Sequence, residues 1–191
     1  ADDEEVTRQV LTEQIAMVGY EVVAQACDGN EAVEMALALK PEVGILDINM
    51  PVRDGLDAAR EIMERAPMAL IVLTGLYDLE LIERANELGV FAYIVKPANA
   101  ETLRATIEVA LRRFEELQAT RKEALDLKEA LATRKQVERA KGVLMQRLGL
   151  SEADAFRRLQ RESNNQSRPL KEIAEAILIA EGLIRPPNDP A

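Results

Sequence analysis

The chain has no histidine and no tryptophan, one cysteine, three phenylalanines and three tyrosines among its 191 residues. Without histidine there is no serine-histidine triad, no histidine-ligated metal and no autophosphorylation on histidine, so any kinase involved is another protein. A single cysteine, Cys27, excludes a disulfide framework. Its place at the end of the run Val22-Val-Ala-Gln-Ala26 predicts a buried or half-buried thiol in a reducing compartment. No apolar stretch nears the roughly 20 residues that span a bilayer, and no signal peptide is visible, which points to a cytoplasmic protein with no membrane partner. Glycine is scarce at nine residues, and across residues 101–148 proline is absent and Gly142 is the only glycine. Nothing in that stretch interrupts a helix.

What the chain does have is a composition 48% apolar, enough for the core of one or two domains, and a regular alternation of short apolar runs with amphipathic ones. The pattern predicts helices over residues 4–19, 30–39 (with Asn30 near the cap), 55–65 and 79–88. It predicts strands over 22–26, the run ending at Asp47, 69–74 and 92–95. Strands alternating with helices of about ten residues imply βαβ units and a doubly wound parallel α/β sheet. Three of the strand ends are polar. Asp47 closes one run just before Ile48-Asn-Met-Pro51, Thr74 closes the next before Gly75, and Lys96 follows the last before Pro97, while Asp2 and Asp3 lead into the first helix. In open α/β sheets ligands bind beyond the carboxyl ends of the strands, so such side chains are candidates for chemistry. Asp2, Asp3, Asp47, Thr74 and Lys96 together resemble the receiver domain of bacterial two-component response regulators, over residues 1–112.

The resemblance implies a flavodoxin-like, five-stranded receiver phosphorylated on Asp47 by a sensor histidine kinase. It implies Mg²⁺ as cofactor, ligated by Asp3, Asp47 and the backbone carbonyl of Asn49, with Asp2 acting through water. Hard oxygen ligands suit that ion, which keeps several of its waters. Lys96 would pair with the phosphoryl oxygens, Thr74 would donate its hydroxyl to them, and Thr74 with Tyr93 would form the switch. These residue types belong together because charge develops on the phosphoryl group in its loose transition state and needs a cation and positioned donors. The family also places an apolar first strand ahead of the acidic pair, so residues before Ala1 are expected.

Beyond residue 100 the strand signal ends. Leu103, Ala110, Leu117, Ala124 and Leu131 recur at intervals of seven, with Ile107 and Phe114 interleaved. Such a seam suits a parallel two-stranded coiled coil and hence a homodimer, although it weakens where Arg121, Lys128 and Lys135 take the interleaved places. Charge reverses along the same axis: residues 1–100 carry 7 basic and 19 acidic residues, residues 134–191 carry 11 and 8. The stretches Thr133-Arg-Lys-Gln-Val-Glu-Arg-Ala-Lys-Gly-Val-Leu-Met145, Gly149-Leu-Ser-Glu-Ala-Asp-Ala-Phe156 and Leu170-Lys-Glu-Ile-Ala174 resemble the ANTAR domain. That implies a small three-helix all-α module, over 134–183, which binds RNA in transcription antitermination. Residues 113–133 are then a coiled-coil linker helix and 184–191 a tail. Ser151 with Asp154 fits a capping box, and Pro169 fits a first helical turn. Val143, Leu144, Leu148, Leu159, Ile173, Ala174 and Ile177 are expected in a small core, and Phe156 on an apolar face. Gly142 costs about 1 kcal/mol relative to alanine within a helix, so a close approach of another helix or an RNA backbone is expected there. The candidate RNA contacts are Arg139, Lys141, Arg147, Arg157, Arg158, Arg161, Arg168 and Lys171, with Asn164, Asn165 and Gln166 able to read base edges.

Together the two resemblances imply a response regulator that, when phosphorylated, binds hairpins in leader transcripts and prevents terminator formation. An alternative keeps the receiver but gives it a DNA-binding output, with residues 164–167 as the turn of a helix-turn-helix. An enzyme reading finds no second nucleophile, no general-base histidine and no apparent substrate pocket. Autodephosphorylation is the only catalysis expected.

Overall fold

The computed structural model describes residues 1–75, 84–85 and 88–184. Its sheet holds three parallel strands in the order β1 (Val43–Asp47), β2 (Ala69–Thr74) and β3 (Ala92–Val95). The register pairs Val43 with Ala69 through Asp47 with Leu73, and Ile71 with Ala92 through Thr74 with Val95. The central β2 is buried along its whole length, as an uninterrupted apolar run requires. Its alternate side chains serve opposite faces. Leu70 packs with Leu46, Ala58, Ala59 and Ile62 beneath α2 (Gly29–Leu39) and α3 (Gly55–Arg65). Ala69, Ile71 and Leu73 pack with Ile94, Leu103 and Ile107 on the other face, where Leu11 and Ile15 of α1 (Glu5–Met17) also lie. Helices on both faces of a parallel sheet are the expected doubly wound arrangement.

One expected strand does not form. Residues 22–26 join no ladder. At one end the Asp2 amide donates to the Ala26 carbonyl at 3.1 Å, while the Asp47 amide donates to the Ala1 carbonyl at 2.8 Å. Ala1 and Asp2 thus bridge residues 22–26 to β1. Beyond that bridge lies a cleft of about 550 Å³, lined by Val22, Ala24, Gly44, Ile45 and Met68. A strand exists by its ladder bonds, and apolar alternation cannot supply the neighbour. Cys27 is accordingly exposed, not buried. The cap of α2 is Asp28 in place of Asn30: its carboxylate accepts from the amides of Asn30 and Glu31. The expected helix over 79–88 lies largely outside the described residues.

The helix α4 (Ala100–Leu148) is 49 residues long. Leu103, Ile107 and Ala110 are buried against the sheet, and Phe114 meets Phe91 edge-on with centroids 5.5 Å apart. The first half of the seven-residue seam is therefore core of its own domain. The second half is not: Leu117 and Leu131 are 45% and 59% exposed. The chain divides into two compact units, residues 1–119 and 120–191, and α4 contributes to each. In the second unit α5 (Glu152–Gln166) and α6 (Leu170–Ile184) close a core of Val137, Ala140, Leu159, Ile173 and Ala174, with Leu144 and Ile177 against it. Leu148, expected there, is exposed at the last residue of α4, and Val143 is half-buried outside the cluster. Ser151 caps α5 as its spacing predicts, its Oγ accepting the Asp154 amide at 3.2 Å and donating to the Asp154 carboxylate at 2.6 Å.

Candidate functional site

Parallel strands in register bring their carboxyl ends together, and so Asp47, Thr74 and Lys96 meet at one edge of the sheet. The Lys96 amide donates to the Thr74 carbonyl at 2.8 Å, which fixes the lysine one residue past β3. Its Nζ lies 2.9 Å from Asp47 Oδ2 and 2.6 Å from Asp2 Oδ2. Both carboxylates are buried, Asp2 completely. Two anions withdrawn from water repel each other and are tolerated only with a compensating charge, which the shared ammonium provides. Burial pulls the Lys96 pKa down, yet the hydrogen bonds to Asp2 and Asp47 outweigh it and hold the group above its ordinary value.

Asp3 is exposed, and carboxylate oxygens of Asp2, Asp3 and Asp47 lie within 4.8 Å of one another. Three hard anionic oxygens at that spacing suit a small divalent cation such as Mg²⁺. The exposed Asn49 follows directly, in a loop drawn tight by the Gly55 amide, which donates to the Ile48 carbonyl at 2.9 Å. A Cβ on Gly55 would collide with the Asp47 carbonyl oxygen, so only glycine lets the first turn of α3 lie against the strand end. The same loop holds Val52 at φ 65°, a left-handed conformation that costs a β-branched residue on the order of 1–2 kcal/mol. Thr74 is buried beside Asp47, whereas Tyr93 stands 46% exposed on β3.

Arg8 is a participant that sequence reasoning missed. Its guanidinium donates to the backbone carbonyls of Asp2 (2.7 Å) and Asp3 (3.1 Å) and so holds the acidic pair in place. The signal was present, since Arg8 is the only basic residue among the first 39.

In the second unit the basic candidates separate into two sets. Arg147 pairs with Glu181, Arg157 with Asp154, Arg168 with Glu172 and Lys171 with Glu129. Lys141 is buried between Glu138 and Glu152, whose hydrogen bonds raise its pKa, and is no longer a freely offered cation. Arg139, Arg158 and Arg161 carry no ion pair among the described residues, and Arg158, Arg161 and the exposed Asn165 share one face of α5 at helical spacing. Asn164 and Gln166 are exposed beside them, and a Cβ on Gly142 would meet nothing within 4 Å. Phe156 is 37% exposed and lines a groove with Ala130, Val137 and Leu170.

Comparison with known proteins agrees with this division. Residues 1–108 match the family model of the response regulator receiver domain, and residues 125–178 that of the ANTAR domain. The transcriptional regulatory protein PdtaR of Mycobacterium tuberculosis is 44% identical over 178 residues, covering 93% of this chain and 87% of the relative. Among solved structures, the receiver domain of AraT from Geobacillus stearothermophilus is 34% identical with a TM-score of 0.55, covering 61% of this chain and 93% of that one. The chemotaxis protein CheY4 of Vibrio cholerae is 32% identical with a TM-score of 0.52, covering 56% and 91%.

Proposed function

This chain belongs to the response regulator receiver family and carries an ANTAR output domain, and from that premise we propose that a partner histidine kinase phosphorylates Asp47 and that the phosphorylated protein binds RNA hairpins to prevent transcription termination. The observation that carries the first half is the Lys96 ammonium held between Asp2 and Asp47 beside Thr74. An oxygen of the Asp47 carboxylate attacks the phosphorus of a phosphohistidine, the P–N bond breaks, and the imidazole leaves. Asp3, Asp47 and the Asn49 carbonyl would hold Mg²⁺, with Asp2 through water, and the bound ion would offset charge on the phosphoryl oxygens. Lys96 then exchanges a carboxylate oxygen for a phosphoryl oxygen, and the Thr74 hydroxyl donates to another. Movement of Thr74 makes room for the outward Tyr93 to turn in. The ANTAR family is not an enzyme family, and the only turnover this reading includes is slow hydrolysis of the acyl phosphate.

For the output, the unpaired cations Arg139, Arg158 and Arg161 support contact with RNA phosphates, and Asn165 lies among them. The exposed half of the α4 seam, Leu117 to Leu131, supports pairing of two chains. Two output modules on one dimer would engage two hairpins with avidity raised by roughly 10² to 10⁴. In the test, a small phosphodonor is added with and without Mg²⁺, and phosphate incorporation is followed beside binding of a two-hairpin leader RNA and of duplex DNA. Mg²⁺-dependent labelling lost in Asp47→Asn, with tighter RNA binding after labelling, is the expected result. Equal labelling of Asp47→Asn would sink the phosphorylation reading, and a preference for duplex DNA the RNA reading.

A further inference from the structure

Two acidic residues lead into α1, and the fold fixes them unequally. Asp2 has a partner at every polar atom: its amide donates to the Ala26 carbonyl at 3.1 Å, Oδ1 accepts the Glu4 amide at 3.0 Å, Oδ2 accepts the Lys96 ammonium at 2.6 Å, and the carbonyl accepts Arg8 at 2.7 Å. Asp3 has a single tie among the described residues, the 3.1 Å bond from Arg8 to its carbonyl, and its exposed carboxylate has no hydrogen bond or ion pair there. Yet an oxygen of that carboxylate lies within 4.8 Å of oxygens of Asp2 and Asp47. With no bond of its own to hold a rotamer, the Asp3 side chain takes its direction from the backbone that carries it.

Arg8 controls that backbone. It lies one turn into α1, and because helical side chains lean toward the N-terminus, its half-buried stem runs back over the residues before the helix. One nitrogen, Nη1, donates to both the Asp2 and the Asp3 carbonyl. Successive carbonyls of an extended chain point to opposite sides, so two that converge on one donor mark a bend. Asp2 is anchored elsewhere, and the bend therefore decides where Asp3 points. We propose that Arg8 is a positioning residue for Mg²⁺ that acts through Asp3: it turns the one loosely held carboxylate of the three toward Asp47, and without it the ion loses a preplaced ligand. The sign of the effect separates this from simple electrostatics. A guanidinium near three carboxylates repels a second cation, so on charge alone its removal would tighten Mg²⁺ binding. Water screens that repulsion around a half-exposed side chain, and the loss of a placed ligand outweighs it. The inference rests on the Mg²⁺ reading of the Asp47 site and adds the residue that sets its affinity from outside the ligand set.

The experiment titrates Mg²⁺ alone into the full chain and follows binding by NMR amide shifts, in the wild-type protein, Arg8→Met, Arg8→Lys, Asp3→Asn and the Asp3→Asn, Arg8→Met double variant. Arg8→Met keeps the apolar stem and loses the donor, and is expected to weaken Mg²⁺ binding by about tenfold. Arg8→Lys is expected to recover most of that loss, because both bonds leave a single nitrogen and the guanidinium fork is not used. With Asp3→Asn already present, Arg8→Met should change the affinity by less than about twofold, since residues that act through one contact are not additive. Melts without Mg²⁺ establish that each variant is folded at the titration temperature, and Arg8→Gln, with a shorter neutral donor, takes the place of Arg8→Met if that variant is not. Binding that tightens or stays the same in Arg8→Met overturns the inference while leaving the Mg²⁺ reading intact. A tenfold loss that persists in the Asp3→Asn background also overturns it, because Arg8 then acts on the site by another route. Absence of Mg²⁺ binding by the wild-type chain removes the Mg²⁺ reading itself, and the inference with it.

Discussion

Asp2 and Asp47 reach one ammonium from distant parts of the chain, and the arrangement joins stability to the proposed metal binding at a single side chain. Removing Lys96 leaves two buried carboxylates facing each other without compensation. Lys96→Met is therefore expected to melt below the wild-type protein at pH 7 without metal. It should also gain more from added Mg²⁺, because a cation that binds only the folded state stabilises it in proportion to its affinity and no ammonium competes for the oxygens. The pH dependence follows from the raised pKa of Lys96. A raised value means that the folded state holds the proton more tightly, so this contribution is complete below the ordinary lysine pKa of 10.5 and is lost as pH climbs through the raised value. Melting curves between pH 7 and 11.5 should show an alkaline decline in the wild-type protein that Lys96→Met lacks. A variant with unchanged melting at pH 7 and no added response to Mg²⁺ would contradict this account. At Cys27 the hydrogen bond with Glu31 raises the thiol pKa, so exposure there does not bring a reactive thiolate.

At the scale of the element, α4 shows how one sequence pattern conceals two environments. Leu103 and Leu131 occupy equivalent places in the seven-residue repeat, but the first is fully buried and the second 59% exposed. Leu103→Ala is expected to cost about 2–5 kcal/mol in urea unfolding, as a large-to-small core substitution does. Leu131→Ala should stay within about 0.5 kcal/mol for the isolated chain while lowering the mass seen by light scattering. Equal losses at the two positions would mean that the seam has one environment throughout. The repeat was legible in the sequence; the change of partner along it was not, because an apolar stripe looks the same whether a sheet or another helix covers it. For the same reason α3 and β3 could be read to the residue from local periodicity and flanking turns, whereas residues 22–26 could not, since their state depends on a neighbour in space. The polar strand ends were legible because parallel topology alone brings them together. The setting of Lys141 was not legible, because a lysine in sequence gives no sign of the two glutamates that surround it in the fold.

At the scale of the whole molecule the dominant fact is the separation of charge, strongly acidic over residues 1–100 and mildly basic over 134–191. Bulk electrostatics should repel RNA from the first unit, which leaves attraction to a few uncompensated cations in the second. Each phosphate deprived of its cation lowers the slope of log affinity against log salt by about 0.9 on a duplex stem and about 0.7 on a single strand. Arg139→Ala, Arg158→Ala and Arg161→Ala should each lower that slope by such an amount. Arg157→Ala should lower it less, because Asp154 already neutralises that guanidinium at 2.7 Å. Titrations between 50 and 300 mM salt decide the matter, and identical slopes for all four variants would place the phosphates elsewhere.

The long helix carries one more consequence. Every residue of α4 from Ala119 to Ala132 is exposed, so that stretch is kept helical by the packed turns on either side and by little of its own. Isolated helices of such length are marginal in water. In the language of hydrogen exchange, the chain's longest element is a bridge anchored at both banks and softest at mid-span. Its amide protons should be lost fastest at the middle of the helix, ahead of those near either anchorage. Any event that clasps two such spans together, or draws RNA along one, would be recorded there as slowed exchange before it is visible in the sheet or in the three-helix core.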